Sequence, residues 1–311
     1  MSQAPFPIQP ELTGIAIAYK NNRLIADDVL PRVPVGVQQF KWWQYNIAEG
    51  FSVPDTKVGR RGAPNEVEFS ATEQAGSTSD YGLDDPVPQA DIDNAPKGYD
   101  PLGRAVEGVT DLIGLDREVR VSGLVFANAS YQAANRTTLA GTSQWSDFVN
   151  SNPISAIMGA LDTLLIRPNT MVLGRSVFTQ LAQHPKIVKA VLGNAGDSGV
   201  ATRENIAQLF ELNKVMVGES WLNTAKKGQA ATYARVWGKH ASLLYIDPLA
   251  NPQSQSRVTY GYTAQWGTRI AGSMPDSKIG LRGGQRVRVG ESVAEVIASI
   301  DAGYFFQNTV V

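Results

Sequence analysis

TRENIAQLFELNKVMVG, residues 202–218, and VWGKHASLLYIDP, residues 236–248, read as a helix, a buried strand, a loop of small residues and a second buried strand. Thr202 is an N-cap, Ile206, Leu209 and Phe210 share one helical face, and Asn213 can end the helix. Residues 214–218 are short, β-branched and stopped by glycine. Residues 241–246 form a second apolar run, stopped by Asp247-Pro248.

Upstream, Asn152-Pro153 opens a helix that places Ile154, Ile157, Met158, Leu161, Leu164 and Leu165 on one face. Residues 171–173 are a strand, and residues 176–192 are helical on either side of His184-Pro185. Together with residues 202–248 they make an α/β module from about residue 150 to 248. Before it, Asp100-Pro101 caps the longest helical pattern, in which Leu102, Val106, Val109 and Ile113 recur at helical steps and Asp116 and Arg120 pair on the surface. Continued to Ala134 this helix is about 50 Å long, against the resistance of Gly103, Gly108, Gly114 and Gly123.

Residues 1–39 hold prolines at 5, 7, 10, 31 and 34 around the modest apolar stretch of residues 15–19, which predicts an extended arm. From Phe40 the pattern alternates: Trp43, Tyr45 and Ile47, then Val67, Phe69 and Ala71, predict a long hairpin whose connection, residues 48–65, carries Lys57, Arg60 and Arg61. Two strands alone are marginal in water, so the hairpin is expected to lie on another surface. Residues 70–100 lack apolar periodicity and present six acids, Glu73, Asp80, Asp84, Asp85, Asp91 and Asp93, before Lys97; such a stretch is either disordered or ordered by a neighbouring subunit. Past the module, residues 257–266 alternate as a strand, residues 267–284 form a glycine-rich loop, and residues 286–289 and the apolar end, 293–306, return to β structure.

The 311 residues, 43% hydrophobic and 18% charged, suit one large or two modest folded domains. A net charge of -1 gives no whole-molecule attraction to nucleic acid or anionic membrane. There is no cysteine, so disulfide and thiolate chemistry are excluded. Neither a secretory leader nor an apolar run of about 18 residues is present, which predicts a soluble protein made in the cytoplasm.

Catalytic motifs fail on inspection. Gly196-Asp197-Ser198-Gly199 matches the nucleophile string of chymotrypsin-like proteases, but the only histidine bases are His184 and His240 and the α/β pattern is not a double β-barrel. Asp91-Ile92-Asp93-Asn94 lacks the glycine and glutamate of a calcium loop, offering Pro96 and Leu102 instead. Two histidines without cysteine make no zinc site, and neither a phosphate-binding loop nor a dinucleotide motif occurs, so no catalytic, cofactor or metal residues are expected. The aromatic residues are expected in cores and interfaces, because basic residues do not interleave with them densely enough for a stacking groove.

A helix running into a V-x-V-G-E strand, here 215–219, and then a W-G-K…L-L-Y-x-D-P strand, here 237–248, resembles the major capsid proteins of tailed phages. The order arm, hairpin, acidic loop, long helix, α/β module and final β segment is similar to the α+β Hong Kong 97-type capsid fold, which encapsulin shells share. The resemblance is architectural over residues 1–200 and motif-like over 202–248 and 285–306. It implies an N-terminal arm (1–39), an extended hairpin loop with its acidic connection (40–100), a spine helix (101–134) within a peripheral segment (101–166), an apical domain (167–250) and a C-terminal peripheral β segment (251–311).

By this resemblance the protein has a structural role: copies of the chain, as hexamers and pentamers, build an icosahedral virion capsid around double-stranded DNA, assembled in the host cytoplasm without a membrane. Only 39 residues precede the hairpin, so scaffolding is expected from a separate protein, alongside a portal and a decoration protein. A start at Met1 implies that no maturation protease has removed an N-terminal segment. The runner-up is an encapsulin-like compartment, and a hydrolase around Ser198 comes third. A covalent link between Lys57 and Asn308 is not expected, because no assisting glutamate lies near the C-terminus. The contact between subunits is expected to join Lys57, Arg60 and Arg61 of one hairpin to Asp84, Asp85, Asp91 and Asp93 of a neighbour, with Trp42 and Trp43 on the hairpin's first strand.

Overall fold

The computed structural model describes residues 6–45, 49, 51–68, 70–193, 199–249 and 258–311. Two sheets and one long helix organise them. The first sheet has the order β1-β11-β12-β4, built from β1 (Arg32–Val35), β4 (Ser79–Pro88), β11 (Gly261–Asp276) and β12 (Gly284–Ile297). The second has the order β5-β13-β10-β6-β7: β5 (Arg136–Thr138), β6 (Thr170–Gly174), β7 (Lys214–Gly218), β10 (Ala241–Leu244) and β13 (Gly303–Gln307). Two small pairs stand apart, β2 (Gln39–Tyr45) with β3 (Ala71–Ser77), and β8 (Trp221–Asn223) with β9 (Tyr233–Arg235).

Helix α4 (Pro101–Val125) joins the two sheets. Its start is the predicted one: the Asp100 carboxylate accepts from the Leu102 N–H at 3.0 Å and Pro101 takes the first turn. Val106, Val109 and Ile113 then pack on Val87, Val287, Val289 and Ala271 of the first sheet, while Val121 and Val125 pack on Met216, Trp237, Tyr260 and Phe305 beside the second. Each such side chain contributes about 1.5–3 kcal/mol on full burial. The helix ends at Val125 and not near Ala134, because residues 128–135 turn back as two short 3-10 turns. At 25 residues it spans about 37 Å. Its glycines are accommodated; at Gly114 the bare backbone lets the tip of Leu24 approach, since a methyl group there would meet Leu24 Cδ1 at 2.9 Å.

The second sheet is covered on one face by α5 (Pro153–Thr163), α6 (Arg175–Gln183), α7 (Pro185–Leu192) and α8 (Arg203–Leu209). All four begin where the sequence signals them: Asn152 caps α5, His184 separates α6 from α7, and Thr202 Oγ1 accepts from the Asn205 N–H at 3.2 Å to cap α8. Both β6 and β10 are buried along their whole length, which is why they read as unbroken apolar runs. Ile157, Leu161 and Leu164 of the predicted stripe are buried, but Leu165 lies past the end of α5 and is exposed. The sheet also reaches outside residues 167–250, since β5 and β13 complete it.

Three expectations are corrected. Residues 10–35 are not an extended arm: Pro10 opens helix α1 (Pro10–Ala18), which buries Leu12 and Ala16 against α4 and β11, and after α2 (Ala26–Val29) β1 pairs in parallel with β11. Proline at a first helical position is compatible with a helix, so these prolines start an element and do not exclude one. Residues 70–100 are ordered by their own chain, as β3, β4 and α3 (Gln89–Asp93), with β4 paired along its length to β12. Residues 267–276 are not loop: β11 runs through to Asp276, with an irregularity in its pairing between Trp266 and Ile270.

Candidate assembly surfaces

The hairpin is the first surface. Strands β2 and β3 pair from Gln39↔Ser77 to Tyr45↔Ala71 but join neither large sheet. At its base Phe40 is buried on Val33, Val35, Tyr262, Ala264 and Val296, and Trp42 packs against Phe40 with ring centroids 5.7 Å apart. Trp42 is therefore partly buried in its own subunit, whereas Trp43, opposite Glu73, stays 46% exposed. Beyond the ladder, residues 51–68 are almost entirely exposed, Val53 at 96% and Phe51, Val58 and Val67 with it. The second strand is not where the alternation of Val67, Phe69 and Ala71 predicted it: it begins at Ala71 and runs to Ser77, and Val67 lies exposed in the connection, while Ile47 and Phe69 lie outside the described residues.

Local bonds shape the tip: the Lys57 N–H donates to Asp55 Oδ1 at 2.9 Å and Asn65 Nδ2 to the Asp55 carbonyl at 2.8 Å. Lys57, Arg60 and Arg61 are exposed, and among the described residues none of them has an ion pair. The predicted acidic partners divide. Asp84 is held within its own chain by Arg288, in a two-pronged pair at 2.6 and 2.8 Å, and that bond holds its carboxyl below the usual range. Asp85 is half-buried on β4, while Asp91 and Asp93 sit exposed on α3, where Asp93 accepts from Gln89 Nε2 at 2.8 Å. Of these acids Asp84 finds its balancing cations on β12, about two hundred residues away in sequence, and Glu73 pairs with Lys41 across the hairpin ladder.

A second surface was not foreseen. The β8–β9 ladder sets Trp221 opposite Arg235 and Asn223 opposite Tyr233, so these side chains share one face by strand alternation. Trp221 is 50% exposed and Tyr233 66%, and the Arg235 guanidinium lies 3.8 Å from the Trp221 ring centroid. The signal was the W…KK…Y…R order of residues 221–235, which a strand pairing brings together.

The signature glycines and tryptophan have a packing cause. Gly174 and Gly218 stand side by side at the ends of β6 and β7, and Trp237-Gly238 crosses them: a Cβ on Gly218 would lie 2.0 Å from Trp237 Cγ, and one on Gly174 2.1 Å from the Trp237 carbonyl. Glu219 then accepts from Arg175 at 2.9 Å and Arg203 at 2.6 Å, tying α6 and α8 to the end of β7.

Both histidines are engaged in hydrogen bonds within the fold. His184 Nδ1 accepts the Lys186 N–H at 3.2 Å, so the proton sits on Nε2 and is donated to Ser151 Oγ, 3.0 Å away, with both residues buried. His240 Nδ1 accepts the Asn308 N–H at 3.0 Å. Ser198 and its neighbours 194–197 lie outside the described residues.

Sequence reasoning also missed the buried charges on α4. Arg117 and Glu118, adjacent in sequence, are 2% and 0% exposed. Arg117 Nη2 donates to Thr263 Oγ1 at 2.8 Å and the Leu30 carbonyl at 3.2 Å, and Nη1 pairs with Asp27. Glu118 accepts from the Ala26 N–H at 2.8 Å, the Ile25 N–H at 3.0 Å, Ser220 Oγ at 3.4 Å and Trp237 Nε1. Burial raises the pKa of Glu118 and these donors draw it back.

The chain is 58% identical over 310 residues to the major capsid protein of Pseudomonas phage JBD67, covering all of this chain and 99% of that one. It is 26% identical to the major capsid protein of Burkholderia phage BcepMu over 96% of its length and 95% of the other. Among solved structures, a phage-related protein from Bordetella bronchiseptica superposes with a TM-score of 0.75 at 22% identity, covering 99% and 98% of the two chains. The capsid of cyanophage P-SCSP1u gives 0.59 at 10% identity over 99% and 92%, and the SrpI encapsulin of Synechococcus elongatus 0.55 at 11% over 93% and 88%. No protein-family profile matches. The structural likeness, shared by capsids and an encapsulin, places the fold as Hong Kong 97-like, and the sequence relatives choose between them: the chain belongs to the phage major capsid protein family, and its role is structural.

Proposed function

We propose that the chain assembles, as hexamers and pentamers of itself, into a closed icosahedral head that encloses double-stranded DNA and acts without catalysis. The observation that supports this most is the hairpin: a two-stranded ladder presents a long connection whose described apolar side chains are exposed, Phe51, Val58 and Val67 about half and Val53 at 96%. Apolar surface of that kind is stabilised when a neighbouring copy covers it, and repetition of one such contact around symmetric rings closes a shell. Assembly takes place in the host cytoplasm, and a separate scaffolding protein, a portal and a decoration protein are its proposed partners. A relative named as a phage major capsid protein at 58% identity favours a DNA-filled head over an enzyme-filled compartment.

The test is electron microscopy of particles purified from infected cells, with their nucleic-acid content measured. Closed particles filled with double-stranded DNA are expected. Only small oligomers, or shells enclosing protein cargo, would overturn the proposal.

A further inference from the structure

Helix α4 carries two adjacent buried charges that face different parts of the subunit. Arg117 bonds to Thr263 on β11 and to the strap of residues 27–30, and its Nε lies 3.8 Å from Glu295 on β12, so it is tied to the first sheet. Glu118 bonds to the strap at Ile25 and Ala26 and, beyond it, to Ser220 and Trp237, which follow β7 and cross the ends of β6 and β7. Among the described residues Glu118 has no cationic partner; every group facing its carboxylate is a neutral N–H or O–H donor. The arrangement demands a carboxylate. An amide would turn an N–H toward donors at the same place and leave buried groups unsatisfied.

We propose that Glu118 is the positioning residue that fixes the angle between the first sheet and the α/β module, and through that angle the curvature of the shell. Trp237 connects this joint to the family signature, since the ring that donates to Glu118 is the one seated on Gly218. The inference rests on the capsid reading for its second half only. Hexamers and pentamers of one chain differ in how steeply neighbouring subunits meet, the packing inside each subunit bounds that difference, and α4 packs in both bodies. A charged joint satisfied from three segments has one geometry, whereas apolar packing at the same place would tolerate a range.

The chain has no cysteine, so introduced thiols are unique labels. Leu165→Cys, after α5, and Leu281→Cys, in the β11–β12 turn, place spin labels on exposed positions of the two bodies. In the isolated subunit a narrow distance distribution is expected, broadened or shifted by Glu118→Gln. Shells assembled from Glu118→Gln without labels are expected to be heterogeneous in diameter or unclosed, while shells of a core variant far from the joint, Ile187→Val, keep the wild-type diameter. An unchanged label distance overturns the joint, and a changed distance with wild-type shells overturns its link to curvature. If wild-type subunits form no shells, the capsid reading fails while the label distance still decides the joint. If Glu118→Gln does not fold, as judged by its thermal transition, Trp237→Phe removes one donor and keeps most of the ring, and the same outcomes apply to it.

Discussion

At the scale of single residues, glycine and histidine make the sharpest demands. Gly218→Ala would drive a methyl group into Trp237 and is expected to cost about 1–3 kcal/mol in a denaturant titration. Gly159→Ala, on the exposed face of α5 with no atom within 4 Å of the added carbon, is expected to stabilise by about 0.5–1 kcal/mol in the same measurement. His184 and His240 both have pKa values below the ordinary 6.5, chiefly because burial disfavours the charged ring, and both use Nδ1 as an acceptor. The unfolded chain therefore takes up protons that the folded chain refuses. Stability is full above the unfolded value of about 6.5 and falls as pH drops below it, by at most about 1.4 kcal/mol per pH unit for each histidine. Melting the subunit between pH 7.5 and 5 checks this, and His184→Gln should flatten part of the slope.

Elements show where sequence was legible. Residues 202–218 could be read directly because cap, helix face and strand lie within a few residues of one another, and a buried strand looks apolar whatever it pairs with. The N-terminal helix and the acidic strand could not, since their partners are remote: Thr13 bonds to Ala271 and Asp84 to Arg288. A local count of charge around Asp84 finds no base, and only the β4–β12 register supplies one. The same register changes the expected contact of the hairpin, because Asp84 already has a cation while Asp85, Asp91 and Asp93 have no ion pair among the described residues. Reversing Lys57, Arg60 and Arg61 to glutamate is expected to slow shell formation and alter its salt dependence, with the subunit's Tm nearly unchanged, since exposed pairs contribute only about 0.2–1 kcal/mol each. Light scattering across a salt series reads the first effect and calorimetry the second; normal assembly kinetics would mean that the tip is only a solvated loop.

The whole molecule is laced from end to end. Strand β1 pairs in parallel with β11, and β13 lies between β5 and β10, so each sheet needs strands drawn from distant parts of the chain. Phe305 and Phe306 on β13 are buried in the two clusters on opposite faces of its sheet. Removing residues 303–311 is thus expected to abolish folding, not merely to lower Tm, and far-UV circular dichroism of the soluble fraction would show it; a soluble, cooperatively melting truncation would contradict this. A ribosome still short of residue 303 holds a chain with a gap in the middle of its second sheet. Interrupted synthesis is therefore expected to yield an unfolded fragment for proteases and no almost-correct subunit, so that the order in which the chain is made would itself keep defective copies out of an assembly.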